Sequence, residues 1–396
     1  MKNNRSEICI LINSIREFDY YDLESFYKNN INIKIVVNDL VNQVNYQEIK
    51  AKIDILKSNK NYYFLSSEIK KNKKYKYVLS TGLGHIKVFS ILEFIIYVYS
   101  RTIGLIIEKI NLDKFFLNLI GKSLTAGARN RELYKSVQIE KKFGTKTILF
   151  PRGLDINIHL YPETRWIDCF DIFCCHSKVD EKILNNKIEN KRDIIKIGYP
   201  RYQKKLENKY QIYFKDKNKK NILWIPTHIK YPNHSIGDNI YLWKNYIKVL
   251  LKDYNIVVKP HPKTISAINS ITETLENEGF TVLKDSNCDL ASLYNVCNYV
   301  LADYGGSVFS AIYMKKKLIL LNLPSNHNYF LHNKNNNLDQ IERINLTNID
   351  LKEAQNLEYY IRVKKDDTNK NYNRYFDKNY SINNLINFLI NDKISK

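Results

Sequence analysis

YVLADYGGSVFSAIYMKKKLILLNLP, residues Tyr299–Pro324, carries the clearest structural pattern in this chain. Its periodicity predicts a strand at Tyr299–Ala302, a polar loop at Asp303–Gly306, a helix at Ser307–Lys315 and a strand at Leu318–Leu323. Two glycines before a serine let backbone N–H groups approach an anion closely, and a helix N-terminus favours negative charge. The segment predicts a βαβ unit with a phosphate-binding turn. The alternative is an ordinary βαβ turn that uses Gly-Gly only for its geometry.

Strands alternate with helices on both sides of this segment. Short β-branched runs predict further strands, among them Ile8–Ile12, Ile33–Val37, Thr145–Pro151, Ile194–Gly198, Ile222–Pro226 and Ile256–Lys259. Such alternation is typical of an α/β fold with parallel sheets, and 396 residues suffice for two cores. We predict two Rossmann-like domains, residues 1–200 and 221–396, joined by a lysine-rich linker at 201–220. Terminal helices are predicted at Leu351–Val363 and Ile382–Ile394.

Composition narrows the class of partner. The net charge of +21 indicates an anionic partner, such as a nucleotide-activated substrate, an anionic polymer, an acidic membrane surface or nucleic acid. Lysines that merely solvate the surface explain much of this excess, because they are scattered along the chain. Six cysteines without a CxxC pair predict a reducing cytosol, with no disulfides and no zinc. The N-terminal sequence lacks the pattern of a signal peptide.

Val88–Ile107 is strongly apolar for twenty residues. Glu93 and Arg101 interrupt it, and each would be costly at the centre of a bilayer. A buried helix is the first interpretation, and a helix lying in the membrane interface is the second. We predict no transmembrane span.

Polar side chains follow the predicted strands. In the second half these are Thr227, His228, Lys259, His261, Asp303, Gly305, Gly306 and Ser307, and in the first half His85, Arg152, Asp155 and Arg201. Ligands of doubly wound sheets bind beyond the carboxyl ends of the strands. Two such edges facing one another make an interdomain cleft. Histidines, arginines and an anion-binding turn in that cleft suit a nucleoside-diphosphate donor.

Four motifs resemble one family. Their sequences are Gly198-Tyr199-Pro200-Arg201, Ile225-Pro226-Thr227, Lys259-Pro260-His261-Pro262 and Asp303-Tyr304-Gly305-Gly306-Ser307. In order and spacing, from Gly198 to Pro324, they are similar to the CDP-glycerol glycerophosphotransferases. That family builds teichoic acids and related capsule polymers on a GT-B fold. The resemblance implies a GT-B-like chain that transfers glycerol phosphate or another polyol phosphate from a CDP-linked donor to a hydroxyl of a glycan or lipid-linked polymer.

The resemblance also implies roles for the residues. His261, Ser307 and the N–H groups of Gly305 and Gly306 would offset charge on the leaving phosphate. Further donor-binding residues would be Arg201, Thr227, His228 and Lys259. The carboxylate of Asp303 would orient the loop or contact the donor polyol.

The acceptor side departs from the family pattern. Members commonly carry His-Gly where this chain has Arg152-Gly153, and an arginine stays protonated and cannot act as a general base. Either Asp155, His85 or His159 takes the proton, or the acceptor and the reaction differ from the family norm.

No cofactor and no metal ion are predicted, because no Asp-x-Asp motif is present. The predicted location is the cytoplasm, with peripheral contact at the inner face of the plasma membrane.

Three alternatives stay open. A GT-B glycosyltransferase of capsule or lipopolysaccharide synthesis would use a nucleotide sugar instead. A nucleotide-sugar 2-epimerase would usually place a glutamate shortly after the Gly-Gly loop, where Phe309 and Ser310 stand. A nucleic-acid-binding protein would show a clustered basic stripe or a known motif, and the sequence has neither, so no nucleic acid is predicted as a partner.

Overall fold

The structure, a computed structural model, describes most of two α/β units. It covers residues 8–13, 15, 17–39, 47, 50, 51, 53, 54, 62–71, 73–81, 139–151, 170–188, 192–203, 206–228, 238–268, 270–285, 288–303, 306–321, 348–349, 352–362 and 367–394. The first compact unit takes in Met1–Gly153, Ile158–Arg201 and Lys378–Lys396, and the second takes in Leu154–Asn157 and Tyr202–Asp377. The predicted apolar helix at 88–107 lies outside the described residues.

The first unit contains a parallel sheet whose described strands number seven. They are β1 (Ile8–Ile12), β2 (Ile33–Val37), β3 (Tyr62–Phe64), β4 (Tyr75–Ser80), β5 (Gly144–Leu149), β6 (Ile172–Cys175) and β7 (Asp193–Lys196). Their order is β3-β2-β1-β4-β5-β6-β7. All five residues of β1 are buried, as expected for a central strand of a parallel sheet covered on both faces.

Short helices accompany these strands. They are α1 (Glu17–Tyr20), α2 (Leu23–Lys28), α3 (Leu65–Lys70), α4 (Ile139–Phe143) and α5 (Lys178–Lys187), with α6 (Pro200–Gln203) at the boundary of the units. The stretch between β1 and β2 contains two short helices, α1 and α2, rather than one continuous helix. Asp22 explains the break, because its side chain accepts the backbone N–H of Ser25 at 3.3 Å and caps α2.

The second unit contains another parallel sheet, with six described strands. They are β8 (Lys220–Ile225), β9 (Tyr254–Val258), β10 (Thr281–Val282), β11 (Tyr299–Ala302), β12 (Lys317–Leu321) and β13 (Asn348–Ile349). Their order is β10-β9-β8-β11-β12-β13. Trp224 on β8 and Trp243 on a neighbouring helix are both buried in its core.

The helices of this unit connect its strands. They are α7 (Asp238–Lys248), α8 (Pro262–Ala267), α9 (Ile271–Asn277), α10 (Leu290–Asn295), α11 (Gly306–Tyr313), α12 (Leu357–Arg362) and α13 (Thr368–Tyr375). The predicted linker differs from what the structure shows. Within 201–220, Tyr210 and Phe214 are buried, and the Tyr210 hydroxyl accepts the backbone N–H of Asp289 at 2.7 Å, so this segment packs as part of the second unit.

The last helix, α14 (Ile382–Ile394), belongs to the first unit, whereas the predicted boundaries placed it with the second. Leu385, Ile386 and Leu389 are buried in the same core as strands β1 and β2. The physical reason for the difference is this long-range apolar packing, which local sequence periodicity does not encode. Among the described residues, no helix is both long and apolar enough to cross a lipid bilayer.

Candidate active site

The switch point of the second sheet lies between β8 and β11. These parallel strands are neighbours, with Ile225 beside Ala302, and the chain continues from them toward opposite edges of the sheet. Pro226, Thr227 and His228 follow β8, while Asp303 follows β11. A doubly wound sheet forms its ligand crevice at this position, at the carboxyl ends of the strands.

Asp303 ties the two loops of this crevice together. Its carboxylate is only 3% exposed and accepts the backbone N–H of Thr227 at 3.0 Å and 3.3 Å through its two oxygens. Asn239 donates from Nδ2 to the same carboxylate and, at 3.2 Å, to the carbonyl oxygen of Thr227. Of the two roles considered for Asp303, this geometry favours orientation of the loop.

Two histidines stack beside this anchored loop. The rings of His228 and His261 lie 5.5 Å apart, centroid to centroid, with an angle of 23° between their planes. His228 Nδ1 lies 2.9 Å from the buried Thr264 hydroxyl, on helix α8. Burial, followed by the positive charge of Lys263, lowers the pKa of His228. His228 is therefore neutral at pH 7.

The hydrogen bonding of His261 fixes its tautomer. His261 is the N-cap of α8, and its Nδ1 accepts the backbone N–H of Lys263 at 3.1 Å. An atom that accepts this bond carries no proton, so a neutral His261 holds its proton on Nε2. The helix begins at Pro262, because proline suits the first helical position. His261 can thus donate a hydrogen bond from Nε2.

Lys259 and the start of α11 complete the described part of the site. Lys259 is buried, and its ammonium group donates to the Pro260 carbonyl at 3.1 Å. Helix α11 follows β11, begins at Gly306 and continues through Ser307 for eight residues, and the first N–H groups of a helix have no acceptor within the helix. The Tyr294 hydroxyl donates to the Ser307 carbonyl at 2.9 Å and holds this first turn.

Four predicted residues lie outside the described residues: His85, Arg152, Asp155 and Gly305. In the second unit the structure joins Thr227 to Asp303 by hydrogen bonds and stacks His228 on His261, while Lys259, Gly306 and Ser307 follow strands of the same sheet at its carboxyl edge. Arg201 belongs to the first unit, where it lies in α6. Among the described residues, no three His, Cys, Asp or Glu side chains are grouped so that they could hold a metal ion.

His176, which follows β6 in the first unit, is not among the site residues that the sequence predicts. It is 1% exposed, its Nδ1 is hydrogen-bonded to the Gly198 carbonyl, and its ring packs 4.7 Å from that of Tyr199. Gly198 has a φ of 62°, a conformation that favours glycine. His176 therefore braces the turn that leads to Arg201. The sequence signal for His176 was its position directly after a strand. Asn239 lies on a helix, so the sequence carried no such signal for it.

Acidification is expected to destabilise the first unit through His176. Burial lowers its pKa from 6.5 to about 4, so between these values only the unfolded chain binds the proton. Stability therefore falls as the pH falls through this window, by about 2 kcal/mol at pH 5. His176→Gln keeps a polar side chain that does not take up a proton in this pH range. The variant should therefore lack the part of the pH-dependent loss of stability that comes from His176. Urea unfolding of both proteins at pH 7 and pH 5 measures it, and equal pH dependence in the two would contradict the prediction.

The fold and site define a class of enzyme. Two doubly wound parallel sheets, one with imidazoles and a helix N-terminus at its switch point, have the architecture of a GT-B-type transferase. A structure of a variant of the wall teichoic acid polymerase TagF is similar, with a TM-score of 0.57 and 11% identity over 99% of this chain and 90% of that chain. The structure of a second TagF variant is similar with a TM-score of 0.53 and 12% identity, over 98% of this chain and 89% of that chain. At this identity the likeness confirms the predicted fold.

The sequence itself identifies the family. The family described as CDP-Glycerol:Poly(glycerophosphate) glycerophosphotransferase matches residues 162–374, more than half of the chain. The chain belongs to this family, and the prediction that it is a transferase is confirmed. None of the curated proteins matches the sequence.

Proposed function

We propose that this chain transfers glycerol phosphate, or a closely related polyol phosphate, from a CDP-linked donor to a hydroxyl group of a polymeric acceptor. The observation that carries the proposal is the stacked pair of His228 and His261, two residues that follow β8 and β9 at the carboxyl edge of the second sheet. Family membership supports CDP-glycerol as the donor. This site would bind the pyrophosphate of that donor.

The chemistry of the pair suits a phosphate in a displacement reaction. His261 presents a proton on Nε2 while its Nδ1 is occupied by the Lys263 N–H. A neutral donor held in one tautomer needs no rearrangement as negative charge grows on the leaving group. The N–H groups at the start of α11, including those of Gly306 and Ser307, would add fixed donors.

The proposed step is an attack at phosphorus. The acceptor oxygen forms a bond to the phosphorus that carries glycerol, while the bond from this phosphorus to the oxygen of CMP breaks. CMP leaves with the electron pair, and the hydroxyl proton passes to a base. Asp155 and His85 remain the proposed bases, and Arg152 and Arg201 remain proposed partners of the acceptor and the donor. In this proposal the histidines and backbone N–H groups bind the phosphates, and no metal ion or other cofactor is required.

The acceptor and the cellular location are also proposals. A net charge of +21 would attract a polymer of phosphodiesters, such as a teichoic acid or a capsule polymer of a bacterial cell envelope. The same charge would favour peripheral contact with the anionic inner face of the plasma membrane. Nucleic acid is not part of the proposed function.

The test is a thermal-shift panel of CMP, CDP, CDP-glycerol, UDP and UDP-sugars. CDP-glycerol at 100 times its dissociation constant should add about 2.7 kcal/mol to the stability of the folded protein. His261→Ala should abolish most of this shift, because it removes the Nε2 donor. Lys284→Ala is the control, since Lys284 forms an exposed ion pair with Glu276 in the same unit. This control should respond to CDP-glycerol as the wild type does.

Each pattern of response has a defined meaning. Stabilisation by cytidine nucleotides that is lost in His261→Ala supports the proposal. Stabilisation by uridine nucleotides alone would favour a sugar transferase or an epimerase. A wild type that responds to none of the nucleotides contradicts the proposed donor site.

A further inference from the structure

The first sheet has a switch point of its own, between β1 and β4. From β1 the chain continues to β2 and β3 on one side, and from β4 it continues to the remaining strands on the other. Asn13 follows β1 directly, and Thr81 follows β4 directly. The carboxyl edge at such a point is where doubly wound sheets bind ligands. The residues there are buried and polar, which is unusual for a protein interior.

Glu17 connects the ends of the two strands. Its Oε2 accepts the backbone N–H of Asn13 at 2.8 Å, and its Oε1 accepts the Thr81 hydroxyl at 2.9 Å. Asn38, which follows β2, donates from Nδ2 to Oδ1 of Asn13 at 2.9 Å. We call these four residues (Asn13, Glu17, Asn38 and Thr81) the switch-point cluster. Three strand ends thus converge on one carboxylate and one amide.

One donor of the cluster has no hydrogen-bond partner among the residues that the structure describes. Asn13 is 5% exposed, and within the part of the chain that the structure describes its Nδ2 makes no hydrogen bond. More than nine in ten buried polar groups are satisfied, and those that are not call for a specific explanation. The hydrogen bonds of the cluster join Asn13, Glu17, Asn38 and Thr81 to one another, and within the described part of the chain Asn13 Nδ2, the orphan donor, is the side-chain atom of the cluster that is buried without a partner.

We propose that the switch-point cluster is a subsite for a hydroxyl group of the acceptor, an inference that rests on the proposed transfer to a polymeric acceptor. The hydroxyl oxygen accepts a hydrogen bond from Asn13 Nδ2, and the hydroxyl proton points toward the Glu17 carboxylate. Because the cluster is buried, the group that enters it is small, such as the terminal hydroxymethyl of a polyol.

The charges of the cluster select this chemistry over the alternatives. A phosphate group would be repelled by the Glu17 carboxylate. A cation would be drawn to the carboxylate but repelled by the N–H dipole of the Asn13 amide. A hydroxyl both donates and accepts, so it matches one donor and one acceptor at once.

Two variants and one matched control test the subsite in the whole protein. Asn13→Ala removes the orphan donor, and Glu17→Gln removes the negative acceptor. Glu68→Gln is the control: Glu68 is a buried carboxylate of the same unit that accepts the Tyr75 hydroxyl at 2.6 Å, and Tyr75 lies at the opposite, amino end of β4. Glu68→Gln thus changes a buried carboxylate of the first unit that is not part of the switch-point cluster.

The first measurement is kinetic, with CDP-glycerol as the donor and a poly(glycerol phosphate) oligomer as the acceptor. Asn13→Ala should raise the KM for the oligomer about 2- to 10-fold, as expected for a lost hydrogen bond between neutral groups, and Glu17→Gln should raise it about 10- to 100-fold, because that bond involves a charged group. The thermal shift with CDP-glycerol should not change in either variant. Glu68→Gln should keep the KM of the wild type. A KM for the oligomer that is unchanged in both variants, or raised equally in the control, overturns the proposal.

The second measurement needs neither turnover nor donor. The side-chain amide signals of Asn13 are assigned as those absent from the ¹⁵N spectrum of Asn13→Ala, and the wild type is then titrated with the oligomer alone. A saturable shift of these signals supports the subsite. No shift means that Asn13 Nδ2 meets only an ordered water, which overturns it. If CDP-glycerol neither binds nor reacts, the proposed function fails, while this titration still decides the subsite.

Discussion

Asp303→Ala is expected to lower the free energy of unfolding of the second unit by about 1–3 kcal/mol for each hydrogen-bond donor that loses its acceptor. The reason lies in what the carboxylate holds. The Thr227 N–H and the Asn239 amide both donate to it; the part-buried Thr227 N–H would lose this acceptor, and the buried Asn239 amide would keep only the Thr227 carbonyl. The loop that carries His228 would lose its anchor, so binding of CDP-glycerol should be lost as well.

Urea unfolding and the thermal shift with CDP-glycerol measure the two effects. Asp303→Asn keeps one acceptor oxygen, so its free energy of unfolding should lie between those of the wild type and Asp303→Ala. Asp253→Ala is the control, because Asp253 forms a surface ion pair with Arg362 at 3.2 Å, and such pairs contribute about 1 kcal/mol or less. If Asp303→Ala is as stable as this control, the anchoring role is refuted. If Asp303→Ala still binds CDP-glycerol normally, the carboxylate does not position the donor site.

Deletion of Lys378–Lys396 is expected to leave the first unit unfolded. This segment contains α14, whose residues Leu385, Ile386 and Leu389 are buried in the core of the first unit. Truncating one such side chain to alanine costs about 2–5 kcal/mol. The cost of losing all three side chains with the helix is therefore as large as the whole net stability of a typical domain, about 5–15 kcal/mol. The result would be a protein in which the second unit alone resists proteolysis.

Point substitutions on the same helix give a graded version of this experiment. Leu389→Ala should destabilise the first unit by about 2–5 kcal/mol. Asn387 lies on the exposed side of α14, and Asn387→Ala should change stability by less than about 0.5 kcal/mol. Limited proteolysis followed by mass spectrometry shows which unit is cut. A deletion protein whose first unit stays protected would mean that α14 contributes little to that core.

The sequence by itself determined the strands and the order of motifs along the chain. The predicted strands at Ile8–Ile12, Ile33–Val37 and Tyr299–Ala302 match the structure. Runs of β-branched residues favour extended backbone locally, whatever they later pack against. The motifs around His261 and Asp303 could be found in the same way, because a residue that follows a parallel strand always lies at the carboxyl edge of the sheet.

Only the tertiary structure decided which residues meet at those edges. Nothing in the local pattern pairs Asp303 with Asn239, 64 residues earlier, or Thr81 with Glu17, 64 residues apart. The helix at Ile382–Ile394 was predicted as a helix, yet its place in the first unit depends on a core formed by strands more than 300 residues earlier. Periodicity shows that a helix has an apolar face. Which core that face joins is set by the free energy of burial in the folded chain.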